Sequence, residues 1–162
     1  MHDFTKLLCR LADAGIDFVI VGGFAAVSHG SSYVTKDVDV CLVLSESNVA
    51  RLRAALGDID PRHRMTPQRL SFLDVPAPGQ SVQNLYLQTN LGTLDILSAV
   101  TGVGDFHRLS ERAEWVEVDG RKFAVMSLQD LIAAKEALGR EKDLLTAKEL
   151  RAIAVRRSDS RS

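Results

Sequence analysis

Apolar positions along the chain alternate between helical and extended spacing, and that alternation predicts an α/β (α+β) arrangement. Phe4, Leu7, Leu8, Leu11 and Ala12 recur at helical intervals, with Gly15 placed to cap the helix C-terminally. Asp17 to Val21 is a short β-rich run, broken by Gly22-Gly23. A short helix follows from Phe24 to His29, and Ser31 to Thr35 form a loop into a second strand, Asp37 to Val43. Ser45 is the N-cap of a helix whose buried stripe is Val49, Leu52 and Leu56, ended at Gly57.

The stretch from Asp58 to Gly79 is the least regular, with four prolines and a basic middle at Arg62, His63, Arg64 and Arg69. Beyond it, Val82 to Gln88 and Thr93 to Leu97 read as strands joined by a tight hairpin. Phe106 to Arg112 reads as a short helix. Asp119-Gly120 between Trp115–Val118 and Lys122–Val125 is a strong hairpin signal. Ser127-Leu128-Gln129-Asp130 resembles a capping box opening a helix through Leu138, which Gly139 interrupts. A last helix is predicted from Glu141 to Ala154, with Leu144, Leu145, Ala147, Leu150 and Ile153 as its apolar side; these and Trp115 are expected in the core. The predicted product is a mixed central sheet flanked by helices.

Composition narrows this picture. A chain of 162 residues, 46% hydrophobic and 25% charged, can bury a sizeable core as one domain. Its net charge of −1 excludes a general nucleic-acid coat, so any nucleic-acid contact would be local. Cys9 and Cys41, without a C-x-x-C, read as small core residues in a reducing compartment. No apolar run reaches the ~18 residues of a membrane span, and charges interrupt the N-terminus where a signal sequence would need an apolar stretch. A cytoplasmic protein with a tail at residues 156–162 is expected.

The chemistry concentrates where polar residues violate the pattern. Asp37 and Asp39 sit in an apolar strand, one residue apart, so they share a face while Val38 and Val40 point to the core. Two carboxylates placed there need positive compensation. Their Cα separation of about 6–7 Å suits oxygens converging on a pair of divalent cations. Mg²⁺ is the expected ion, and zinc is disfavoured because no His or Cys stands nearby at ligand spacing. Asp95, alone among Leu94, Ile96 and Leu97, is the same anomaly; if its strand lies beside Asp37–Asp39, the site gains a third carboxylate. Gly22-Gly23, between strand and helix, would let main-chain N–H groups approach a phosphate.

Together, Val21-Gly22-Gly23, Asp37-Val38-Asp39 and the later Asp95 resemble the signature of minimal nucleotidyltransferases of the polymerase-β-like superfamily. Thr35-x-Asp37-x-Asp39 and the stretch from Lys135 to Asp143 look like the bacterial stand-alone branch, which includes nucleotidyltransferase toxins of toxin–antitoxin pairs. The resemblance covers about residues 17–150 and implies one nucleotidyltransferase domain over residues 1–155. It further implies two Mg²⁺ ions held by Asp37, Asp39 and Asp95, with Asp95 helping to remove the acceptor proton, and a nucleoside triphosphate, ATP among the expected substrates. Gly22 and Gly23 would cradle its terminal phosphates. The serine of Gly-Ser members is missing, which leaves Ser31, Ser32 or Thr35 as substitutes. Lys135 would meet the triphosphate, and Arg140 and Lys142 a phosphate or the acceptor; a solvated helix face is their other reading. An RNA end is the favoured acceptor, a protein or small-molecule hydroxyl the alternative, and an antitoxin or a second copy the expected partner. The competing reading is a non-catalytic nucleotide- or partner-binding module of the same fold.

Overall fold

A computed structural model describes residues 1–32 and 37–160 of the chain. In order, the elements are α1 (Asp3–Asp13), β1 (Val19–Val21), α2 (Gly22–Ser28), β2 (Asp37–Cys41), α3 (Glu46–Leu56), β3 (Arg62–His63), β4 (Asn84–Thr89) and β5 (Gly92–Leu97). Next come β6 (Ala99–Val100), β7 (Gly104–Asp105), α4 (Phe106–Arg112), β8 (Glu114–Val118), β9 (Arg121–Val125), α5 (Leu128–Leu138) and α6 (Glu141–Ser160). Among the described residues, seven strands form one sheet in the order β3-β4-β5-β2-β1-β9-β8. The sheet is mixed: β2 runs parallel to β5 and β1 to β9, while β1 and β2 pair antiparallel.

Local chemistry accounts for the boundaries. Ser45 and Ser127 accept hydrogen bonds from the main-chain N–H of Asn48 and Asp130, capping α3 and α5 as the sequence predicts. The turn between β8 and β9 is carried by Asp119 and Gly120, both at positive φ (51° and 83°), the conformation a tight two-residue hairpin needs. In β2 and β5, Val38 pairs with Leu94 and Val40 with Ile96, four fully buried side chains on one face. Leu85 and Leu87 of β4, all of β1, Cys41 of β2, and Phe123 and Val125 of β9 join them in the core. Helix α1 packs against α3, and α2 packs on β1, β2 and α5.

Two core expectations fail. Trp115 is 73% exposed, because β8 is the last strand of the sheet and the buried face of its hairpin is carried by Phe123 and Val125 of β9; Trp115 pairs with Ala124 on the other face. Leu144 and Leu145 are also at least half exposed, since α6 turns Asp143, Ala147, Leu150 and Ile153 inward, a stripe at helical spacing that leaves 144 and 145 to one side. The helix also continues to Ser160, past the predicted end at Ala154. Arg157 gives this last turn a hold: its Nη2 lies 3.0 Å from Nδ1 of buried His29, and its Nη1 lies 3.7 Å from Glu114.

A candidate active site at the β2–β5 pair

The parallel register of β2 on β5 sets Asp39 directly beside Asp95, and the antiparallel register of β4 on β5 sets Tyr86 beside Asp95 in turn. Because partners in register share a face, Asp39, Asp95 and Tyr86 form a row across three strands, on the side opposite the buried Val38, Val40, Leu94 and Ile96. Asp37, exposed at the start of β2, stands on the same face one pleat away. The strand containing Asp95 thus lies where a third carboxylate would require it.

Gly22 fixes the near wall. It opens α2 at φ +71°, and a Cβ there would fall 2.2 Å from Oδ2 of Asp39. Only a residue without a side chain lets the strand-to-helix turn lie against that carboxylate. Gly22 and Gly23 belong to α2 itself rather than preceding it, and no side chain caps the helix at Val21. Both glycines border a cavity of about 410 Å³, together with Asp37, Asp39, Tyr86 and Lys135.

Burial pushes the Asp39 carboxyl up to about 6, with the charges of Asp95 and Asp37 adding to the rise and those of Lys135 and Arg64 opposing it. Burial also raises Asp95, outweighing the hydrogen bond and charge of Arg64 that pull it down. Asp39 and Asp95 share a hydrogen bond, and the charges of Asp95 and Asp37 weigh against ionised Asp39, a crowding that bound positive charge would relieve. Their donor set is all oxygen, the kind hard divalent cations take. As the side chains stand, no three His, Cys, Asp or Glu among the described residues close on a single ion position. Asp95 is engaged instead by Arg64, whose Nε and Nη2 donate to Oδ1 and Oδ2 at 3.2 and 2.5 Å. Asp37 and Asp39 supply the oxygen donors a hard cation takes; Asp95 joins them only by exchanging its guanidinium partner.

Also lining the cavity, Lys135 of α5 has a side chain 18% exposed, with Nζ 3.8 Å from Oδ1 of Asp143. Arg140 Nε donates to Asp143 Oδ2 at 2.5 Å, and that bond first, then the charges of Arg140 and Lys135, hold the Asp143 carboxyl below its ordinary value. Asp143 is buried, so Lys135 is held at the cavity by an acid rather than lying on a solvated face, whereas Arg140, which shares that acid, keeps a side chain 58% exposed.

The other expected residues are placed differently. Ser32 donates its main-chain N–H and its Oγ to Glu149 of α6 at 2.9 and 3.0 Å, and Ser31 also hydrogen-bonds Glu149. Neither serine lines the cavity; both are fastened to α6. Thr35 lies outside the described residues. Sequence reasoning missed two residues. Arg64 was visible only as part of a basic stretch, although its main-chain N–H extends the ladder to Tyr86 O at 3.0 Å and so aims it at the third acid. Asp143 passed for a surface acid, though its position three after Arg140 and eight after Lys135 hinted at a shared contact.

No protein-family model and no curated protein sequence matches the chain. Solved structures do. A Thermotoga maritima protein described as a candidate nucleotidyltransferase superposes with a TM-score of 0.57 at 17% identity, over 90% of this chain and 88% of that one. The lincosamide antibiotic adenylyltransferase LnuA, with lincomycin bound, gives 0.62 at 14% identity, over 93% and 96%. ANT(2")-Ia in complex with adenylyl-2"-tobramycin gives 0.52 at 13% identity, over 92% and 95%. Across nearly the whole of its length, the chain has the fold of the nucleotidyltransferases.

Proposed function

We propose that the protein is a divalent-metal-dependent nucleotidyltransferase that moves a nucleoside monophosphate from a nucleoside triphosphate to an acceptor hydroxyl. The observation that carries this reading is the register of β2 on β5, which sets Asp39 beside Asp95 with Gly22 pressed against the Asp39 carboxylate. Asp37 and Asp39 would hold Mg²⁺, which supplies charge neutralisation for the triphosphate and for the leaving pyrophosphate. Lys135, steadied by Asp143, stands at the cavity as the cation for the triphosphate tail. Gly22 and Gly23 leave room for the phosphates to approach the main chain. Asp95 accepts the proton of the attacking hydroxyl once Arg64 has released it.

For the acceptor, the resemblance favours an RNA end within a toxin–antitoxin setting. A small hydroxylated molecule is the second reading, favoured by a cavity of about 410 Å³, within the usual range for small-ligand sites. LnuA and ANT(2")-Ia, whose structures hold lincomycin and adenylyl-tobramycin, share the fold and point the same way. The test is to incubate the protein with Mg²⁺ and each α-labelled triphosphate in turn, offering total RNA, a protein extract, or lincosamide and aminoglycoside compounds. Label should move to one acceptor class and fall at least about a hundredfold in Asp39→Ala. Transfer that survives this substitution removes the assigned site. Triphosphate binding with no transfer to any acceptor favours the non-catalytic module.

A further inference from the structure

Arg64 is the residue at the site to which the proposed chemistry gives no role beyond releasing Asp95. Its main chain is fixed by the hydrogen bond to Tyr86 O, and its guanidinium lies 5.7 Å from the centre of the Tyr86 ring. From there it grips both oxygens of Asp95, with the two side chains 27% and 14% exposed. Asp95 itself is absent from the cavity wall, whereas Tyr86 and Asp39 line it. A guanidinium keeps its charge at any working pH, and a forked pair occupies both carboxylate oxygens in the plane where a cation would approach. Arg64 and a metal ion therefore cannot hold Asp95 in the same way at once. Nor is the pair dispensable to the resting protein: with three carboxylates on one face, it is the cation already in place beside the third.

Resting on the nucleotidyltransferase reading, we propose that Arg64 is a positioning residue that competes with a divalent cation for Asp95. The metal-free protein keeps Asp95 paired with Arg64. A first ion binds at Asp37 and Asp39, and engagement of Asp95 by a second follows when the guanidinium swings off. The swing is a side-chain rotation, since the main chain at Arg64 stays in the β4 ladder. Arg64 thereby sets the concentration of metal at which the third acid becomes available.

The test is Mn²⁺ binding to the full chain without nucleotide, followed by calorimetry and by the electron-spin signal of free Mn²⁺. Wild type should bind one ion more tightly than a second. In Arg64→Gln the second ion should bind about tenfold tighter, the scale of losing one well-made competing charge pair. Arg64→Lys keeps the charge but loses the fork, so it should move the same way by a smaller factor, and it serves if the glutamine variant folds poorly. Asp95→Asn should abolish the second ion in either background. An unchanged or weaker second ion in both Arg64 variants, with the first ion still lost in Asp39→Ala, overturns the competition and leaves the nucleotidyltransferase reading standing. Absence of any Mn²⁺ binding that Asp39→Ala removes overturns both.

Discussion

Replacing Gly22 by alanine separates what the turn does for the fold from what it does for the site. Two glycines with similar backbones make the comparison: Gly22 at φ +71° and Gly15 at φ +78°. Forcing an L-residue into this region costs about 1–2 kcal/mol, partly offset by about 0.4–1 kcal/mol from a stiffer unfolded chain. At Gly15 a Cβ would meet nothing within 4 Å, so Gly15→Ala should lose only that net amount, about 1 kcal/mol. At Gly22 the Cβ would lie 2.2 Å from Asp39 Oδ2 and 3.0 Å from its Cβ and Cγ, more than 1 Å inside ordinary contact for the oxygen. The collision involves the root of a short side chain as well as its tip, so the carboxylate must rotate away or the turn must shift. Overpacking of this kind adds about 1–3 kcal/mol. Gly22→Ala should therefore melt a few degrees below Gly15→Ala, at roughly 2–4 °C per kcal/mol for a chain of this size. Under the proposed function, moving the carboxylate that would hold the metal by about 1 Å should cost about a hundredfold in transfer rate, while Gly15→Ala keeps its rate. Thermal unfolding of the two variants with the labelled-triphosphate assay decides it. A Gly22→Ala protein that melts with Gly15→Ala and transfers at the wild-type rate would refute the claim that the turn positions Asp39.

Two further expectations concern charge. Asp39 has a folded value of about 6 against 3.8 for the ordinary group, so its ionisation opposes folding: the penalty is absent below about pH 4, grows through the interval, and is complete above about pH 6. In buffer with a chelator, Asp39→Asn should be more stable than wild type at pH 8 by up to about 2–3 kcal/mol, and the advantage should vanish near pH 4; urea midpoints at the two pH values measure it. Asp143 shifts the opposite way, so its contribution is present above the ordinary carboxylate value and is lost as pH falls through its lowered one. Asp143→Asn should thus cost about 1–3 kcal/mol at pH 7 and progressively less in acid. It should also weaken binding of a fluorescent triphosphate because Lys135 loses its tether, and unchanged nucleotide affinity would count against Lys135 as the triphosphate cation.

Much of the site was legible because strands impose a period of two. Asp37 and Asp39 had to share a face, and Asp95 broke an apolar run in the same manner; only the adjacency of their strands needed the tertiary structure, and the β2–β5 register supplies it. Hairpins at Asn90-Leu91 and Asp119-Gly120 and the caps at Ser45 and Ser127 were legible for local reasons. Trp115 was misjudged because burial of a large apolar residue depends on where its strand stands in the sheet, and sequence does not give strand order. Arg64 and Ser32 found their acids across 31 and 117 residues, distances at which no local pattern operates.

The last helix has a consequence for how the molecule comes into being. Asp143 holds Lys135 and Arg140, Glu149 holds Ser31 and Ser32, and Arg157 reaches His29 at the end of α2. These three grips are spread over about 21 Å of one rod at 1.5 Å per residue, in fixed phase. A ribosome delivers the carboxylates of β2 and β5 before the helix that clasps their surroundings. Until α6 is out, the nascent chain has its acids without a tethered lysine and with Ser31 and Ser32 unheld. Deleting one residue between Glu149 and Arg157 would rotate the last grip by about 100° and unclasp α2 while leaving every site residue in the sequence intact.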